Sequence, residues 1–313
     1  MNEHSFTETD ERFHEPGAEE QWSDSLYFGG ADRSGSGLAL YTRIGLRPNE
    51  GRAEGALGIW LPDGRFVLSF GRGEPGAEIA CGPVSYNCGL PFELWRIAIS
   101  GRGRAFARAE DLARAPESFE EVDVGGELRF TAWTGPLAFE TGIGGGVAAR
   151  HYEQPGSLAG VVEVAGQRFP LAGAGMRDHS WGVRDWQLVP WWRWFGFVAD
   201  PDNFVLMNNV GTPEGGETAG GLLMRDGELS PIASCETESV EDPELGSQRS
   251  FHARARDRLG RETELRGEAV SVAPLRQRRD GRLTLVNEGL TKLSWEGREG
   301  LGISEYLVQT SDA

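Results

Sequence analysis

GVVEVAGQRFPL, residues 160–171, reads as two short strands folded about Ala165-Gly166. Apolar side chains crowd both arms and a turn pair sits between them, the mark of an antiparallel hairpin. The same pattern recurs downstream. FGFVADPDNFVLMNNV (195–210) folds about residues 200–203, and GGLLMRDGELSPI (220–232) folds about Asp226-Gly227. FHARARDRLGRETELRGEAV (251–270) alternates strongly, and LGISEYLVQ (301–309) reads as a closing strand. Upstream, LALYTRIGL (38–46), ELWRIAI (93–99) and ELRFTAW (127–133) have strand length and strand composition. ALGIWLPDGRFVLSF (56–70) is a hairpin about Pro62-Asp63-Gly64. AEDLARA (109–115) is the one modest helix candidate, too short to matter structurally. Serial hairpins predict an all-β chain of packed antiparallel barrel or sandwich domains.

Composition agrees. The 313 residues include 45 glycines and 16 scattered prolines, which suits short strands and turns. That length allows one large or two ordinary domains. TGIGGGV (141–147) punctuates the chain, so the expected division is an acidic arm at 1–24, a β domain at 25–145 and a second at 146–313. The arm holds eight acidic side chains and one arginine, and is expected to be flexible or draped, anchored by Phe6, Phe13 and Trp22. A net charge of −17 repels nucleic acid and anionic membrane, so neither is an expected partner. Three cysteines without close pairing suggest a reducing, cytoplasmic setting. No signal-peptide pattern opens the sequence, and no run reaches the roughly 18 apolar residues of a membrane span. Association as a homodimer is compatible with all of this.

One segment stands apart. MRDHSWGVRDWQLVPWWRWFGF (176–197) holds Trp181, Trp186, Trp191, Trp192 and Trp194 among arginines, aspartates and His179. A core segment would not carry so many charges, nor a solvated loop so many indoles. A half-buried cavity wall suits both. If RDHSW is a strand, Arg177, His179 and Trp181 share one face, and Asp178 and Ser180 the other. A bulge at Gly175 or Gly182 would bring both faces inward. With the first face on the cavity, His179 is the titratable group inside it and Asp178 a positioning group or acid. Arg184 and Asp185 read as a structural pair. In RHYEQPG (150–156), His151 and Glu153 share one face, Tyr152 and Gln154 the other; a solvated edge strand is the plainer alternative. Glu305 reads as a paired barrel residue. No HxH, CxxC or helical His pair occurs, so no metal site is expected. GRGEPG (71–76) lacks the helix a dinucleotide site requires.

The run GMRDHSWGVRDW resembles the DHxWG-type signature of the lipocalin-like carotenoid hydratase and AttH-type superfamily, and more closely a bacterial branch carrying GxRDHSWGxRxW. RIGLRPNEG (43–51), LPDG (61–64), RHYEQPG (150–156), PLRQRR (274–279) and GLGISEYLVQ (300–309) look like landmarks of that branch. The resemblance implies two packed lipocalin-like β domains, a hydrophobic ligand in or between them, and chemistry without an organic cofactor. It maps the signature onto Asp178, His179, Trp181 and Gly182, with Ser180 where glutamine often stands. The expectation is a cofactor-independent lyase of the hydratase, dehydratase or carbon–carbon lyase type, acting on an aromatic or isoprenoid molecule. His179 and Asp178 would be catalytic, and Trp181, Arg177, His151, Tyr152, Glu153, Trp186 and Trp191 would hold substrate. An isomerase or cyclase in the same pocket, and a non-catalytic carrier or sensor, are the competing readings.

Overall fold

Every expected hairpin forms. In the computed structural model, which describes residues 6–139, 150–279 and 281–311, almost all secondary structure is antiparallel strand. Ala165 and Gly166 take positive φ (51° and 77°), as do Asp226 and Gly227 (52° and 78°). Two consecutive left-handed residues make the tight turn whose twist matches a hairpin. The helix candidate shrinks to one turn, Asp111–Arg114. Among the described residues no helix is long and apolar enough to cross a membrane.

The strands form two units. Residues 22–183 make an eleven-stranded sheet, and residues 191–311 make a closed eight-stranded barrel. The sheet also curls back on itself, because Phe66–Gly73 at one end pairs with Leu94–Phe106. In the barrel each strand hairpins to the next, and Trp191–Asp200 closes the ring against Arg298–Ser311. Each unit has its own core: Leu26, Phe28, Trp95 and Phe130 in the first, Phe195, Met207, Phe251 and Trp295 in the second. A further apolar cluster joins them, with Tyr41, Trp60 and Phe66 of the sheet packed with Ala273, Leu290 and Ile303 of the barrel.

The division between units differs from the expected one. The glycine run 141–147 lies outside the described residues. Beyond it, Arg150–Val164 and Gln167–Val183 pair with Phe119–Ala132 and Trp22–Asp32, so they complete the first sheet. The chain crosses to the barrel only after Val183. RDHSWG therefore belongs to the first unit. The two strands were separable in sequence from their partners, but their hydrogen bonds are long-range and leave no local mark.

The arm is not a loose drape. Glu11 is 2% exposed and reaches under the sheet. Gln167–Val183 runs between Trp22–Asp32 and Arg150–Val164 in unbroken register through residues 173–183, so no bulge turns Asp178 and His179 to one side. Gly175 serves a tighter purpose: a Cβ there would sit 1.9 Å from the Gly29 carbonyl oxygen. Only glycine lets these strands cross so closely.

Candidate functional site

Period-two alternation sends the two faces of residues 177–181 to different places. Arg177, His179 and Trp181 lie opposite Phe28, Leu26 and Asp24, which face the interior of the first sheet. Asp178 and Ser180 lie opposite Tyr27 and Ser25 and face the barrel.

The inner face meets the arm. Arg177, fully buried, donates from Nε to Gln154 Oε1 (2.7 Å) and from Nη2 to the Tyr152 hydroxyl (2.8 Å) and to Glu11 Oε1. Its guanidinium lies over Trp95 and Tyr152. Glu11 Oε2 accepts from Trp95 Nε1 and Phe92 N, both at 2.9 Å. Burial alone would raise the Glu11 carboxyl, but Arg177, Tyr152 and the Phe92 amide outweigh it and hold it below its ordinary value. His179 is clamped between the Asp10 carbonyl (Nδ1, 2.7 Å) and Asp24 Oδ1 (Nε2, 2.6 Å). His14 stacks on Trp181 at 4.0 Å and bonds Asp24 Oδ2 (2.9 Å) and Asp10 Oδ1 (3.1 Å).

His14, Asp24 and His179 thus gather donor atoms within 4.8 Å of one another, a metal-type grouping that sequence spacing did not disclose. All four ring nitrogens already face protein oxygens, so hydrogen bonds within the protein knit the grouping together. The cluster latches the arm. Burial would depress His14, but Asp24 and Asp10 outweigh it and raise it above 6.5. A raised histidine stabilises fully below its unfolded value, and that contribution is lost as pH rises through the folded one. Tryptic cleavage at exposed Arg12, normalised to denatured chain, should therefore be slow near about pH 6 and faster near about pH 9. His14→Ala should cleave fast at both. Equal protection of the wild type across that range would contradict the latch.

The outer face lines a cavity of about 110 Å³ between the units. Two rows of side chains face each other there. Across the sheet, Glu153, Asp178, Tyr27 and Arg43 are cross-strand neighbours. Across the barrel, Asn208, Trp194, Glu305 and Glu288 are. His151, Met176, Arg184, Trp192 and Ile303 also line it, with Phe139 and Val210. Trp194 Nε1 bridges the units by donating to Glu153 Oε1 (3.1 Å), and Trp192 Nε1 donates to Glu305 Oε1 (2.6 Å).

Burial in this apolar frame governs the ionisation of the acids. Asp178 is raised from 3.8 to about 6 by burial, partly offset by Arg184 and Arg43. Burial, then Asp178, lifts Glu153 well above the carboxylate range. Glu288 is lifted likewise by burial and then by Glu305, to which it is hydrogen-bonded. Burial, then Arg184 and His179, lowers His151 to about 3, so its ring is neutral. Glu153 Oε2, Glu288 Oε2, Asn208 Oδ1 and His151 Nε2 are buried without a hydrogen-bond partner.

Several expected site residues are relocated. His179, Trp181, Arg177 and Tyr152 sit on the inner face, away from the cavity, because core and interface both bury the strand. Asp178, His151 and Glu153 do line it. The strand carrying His151 is internal to the sheet, not a solvated edge. Trp191 stacks with Arg193 instead of lining the cavity; Trp192 and Trp194 take that place. The side chain of Trp186 lies outside the described residues. Arg184 bonds Ser180 Oγ, while Asp185 accepts from the Gln187 amide, so the two serve separate ends of the turn. Glu288 was missed. Its signal was an acid inside LTLVNEGL (283–290), an otherwise apolar strand.

A curled sheet and a closed barrel packed face to face, with acids and indoles between them, define an AttH-type or hydratase-like fold. A putative AttH from Nitrosomonas europaea has it (TM-score 0.59, 13% identity, 94% of each chain covered). So do CghA (0.54, 13%, 94% of this chain and 89% of that one) and kievitone hydratase from Nectria haematococca (0.55, 10%, 92% and 89%). The chain belongs to the family described as a domain of unknown function, DUF7064, whose model matches residues 7–310. No curated protein sequence matches it.

Proposed function

We propose that the protein is a lyase of the hydratase or dehydratase type, acting on a hydrophobic aromatic or isoprenoid molecule in the cavity between the two units. One observation carries this reading: Asp178, poised near neutrality by burial, sits beside a neutral His151 on an indole-walled cavity. An acid titrating near the working pH is what proton transfer to carbon or to a leaving hydroxyl requires. In the dehydrating direction Asp178 gives its proton to the departing hydroxyl, and His151 Nε2 accepts the proton from the neighbouring carbon. Hydration reverses both steps. Trp192 and Trp194 exclude water and stabilise positive charge developing on carbon. These side chains supply the acid–base chemistry themselves. The fold-level likeness to kievitone hydratase is in keeping with this reading, as is the resemblance of the RDHSWG run to the hydratase signature.

The test is product mass. Prenylated and hydroxylated aromatic compounds incubated with the protein should yield a product heavier or lighter by one water. A product of unchanged mass would replace this reading with an isomerase or cyclase, and ligand returned unaltered with a carrier.

A further inference from the structure

The cavity holds more acid than its own cations answer. Glu153 and Asp178 approach from the sheet, Glu288 and Glu305 from the barrel. Arg184 is the cation on the lining, and Arg43 stands beyond Tyr27 in the row of Asp178. Three oxygens are left over. Glu153 Oε2, Glu288 Oε2 and Asn208 Oδ1 come from opposite walls, each residue is at most 4% exposed, and none of these atoms has a donor. Carboxyl and amide oxygens that no protein group answers, two of them on acids that can give up a proton, reward an occupant that brings hydrogens and positive charge. The indoles of Trp192 and Trp194 beside them are also suited to a cation.

We propose that the cavity selects a hydrophobic ligand carrying a protonated nitrogen, placed between Glu153 and Glu288, and rejects ligands carrying a carboxylate. This rests on the cavity being the substrate site and adds the chemical class of the ligand. Protons now serve as counter-ions to Glu153 and Glu288. An ammonium group displaces at least part of one, so binding releases protons to solvent, and affinity rises with pH.

Three probes with one ring system separate the alternatives: tryptamine (cationic), tryptophol (neutral) and indole-3-acetate (anionic), measured by titration calorimetry in two buffers of different ionisation enthalpy. Tryptamine is expected to bind at least about tenfold tighter than tryptophol, with indole-3-acetate weakest. Its affinity should rise toward roughly tenfold per pH unit between about pH 6 and 8, the limit for one proton released, while that of tryptophol stays flat. Glu153→Gln and Glu288→Gln, two nearly isosteric changes on separate units, should each weaken tryptamine about tenfold and leave tryptophol within about twofold. Either variant suffices if the other fails to fold. Tryptophol binding as tightly as tryptamine, tryptamine binding without proton release, or no binding by any probe would each overturn the inference. Product mass does not depend on a nitrogen, so failure here leaves the lyase reading standing. A failed mass test, with tryptamine still preferred, would leave a cation-binding cavity without that chemistry.

Discussion

Arg177→Ala is expected to cost about 3–5 kcal/mol of stability, the toll of stranding one partner of a buried ion pair. That is a large share of the roughly 5–15 kcal/mol that holds a typical domain together. The loss comes from several sources at once. Glu11 would keep the Trp95 indole, the Phe92 amide and the Tyr152 hydroxyl as donors but lose its counter-charge in a buried site, and Gln154 Oε1 would lose its donor. The rings of Trp95 and Tyr152 would face a void. Arg177→Lys should fail almost as badly, since a point charge cannot span Gln154, Tyr152 and Glu11 together. Glu11→Gln should cost nearly as much, because it strands the buried Arg177 cation and turns an amide NH2 toward one of the two donor pairs that Glu11 answers. Denaturant midpoints at constant m-value measure all three. A change below about 1 kcal/mol for Arg177→Ala would mean that the arm does not brace the sheet.

Asp178→Asn is expected to do the opposite. Turnover should fall by about a thousandfold, within the range for removing a general acid–base group. The chain should become more stable at neutral pH. Asp178 has a folded value near 6 against an ordinary 3.8. Its contribution is therefore most favourable below 3.8, is lost as pH rises toward about 6, and stays lost above. The difference corresponds to up to about 3 kcal/mol recovered by the amide at pH 7, less whatever Arg184 and Arg43 lose with the charge. Wild type and variant should converge in stability under acid. In the dehydrating direction, wild-type turnover should decline above about pH 6 as the acid form of Asp178 is titrated away. A variant that is both less stable and fully active would place Asp178 in the framework instead. His179→Gln is the natural companion, with an effect confined to stability.

The strands and their turns were legible because each is written locally: a left-handed pair between two apolar runs needs no distant partner. The two faces of RDHSWG were legible for the same reason. Their destinations were not. A strand buried on one side can be oriented by contrast, but this one is buried on both, against a core and against a barrel. Arg177 looked like a substrate-holding group and His179 like a reactive one because their partners, Glu11 and Asp24, lie 166 and 155 residues upstream in an arm that composition marks as solvated. The barrel wall of the cavity was hidden by distance in the same way. Trp194 meets Glu305 only through ring closure, and Glu305 meets Glu288 across the last hairpin.

The two rows of the cavity have one more consequence, for engineering. Their side chains stand on the outsides of two rings, and each ring keeps its own filled interior. Outward positions such as His151, Glu153, Asn208 and Glu288 can therefore be randomised together without disturbing either core. A library drawn from them would vary ligand chemistry while both cores stay filled, and would shift the melting temperature chiefly through the buried acids it removes. One drawn from the inward neighbours, Tyr152, Arg177 and His179, would mostly yield chains that do not express.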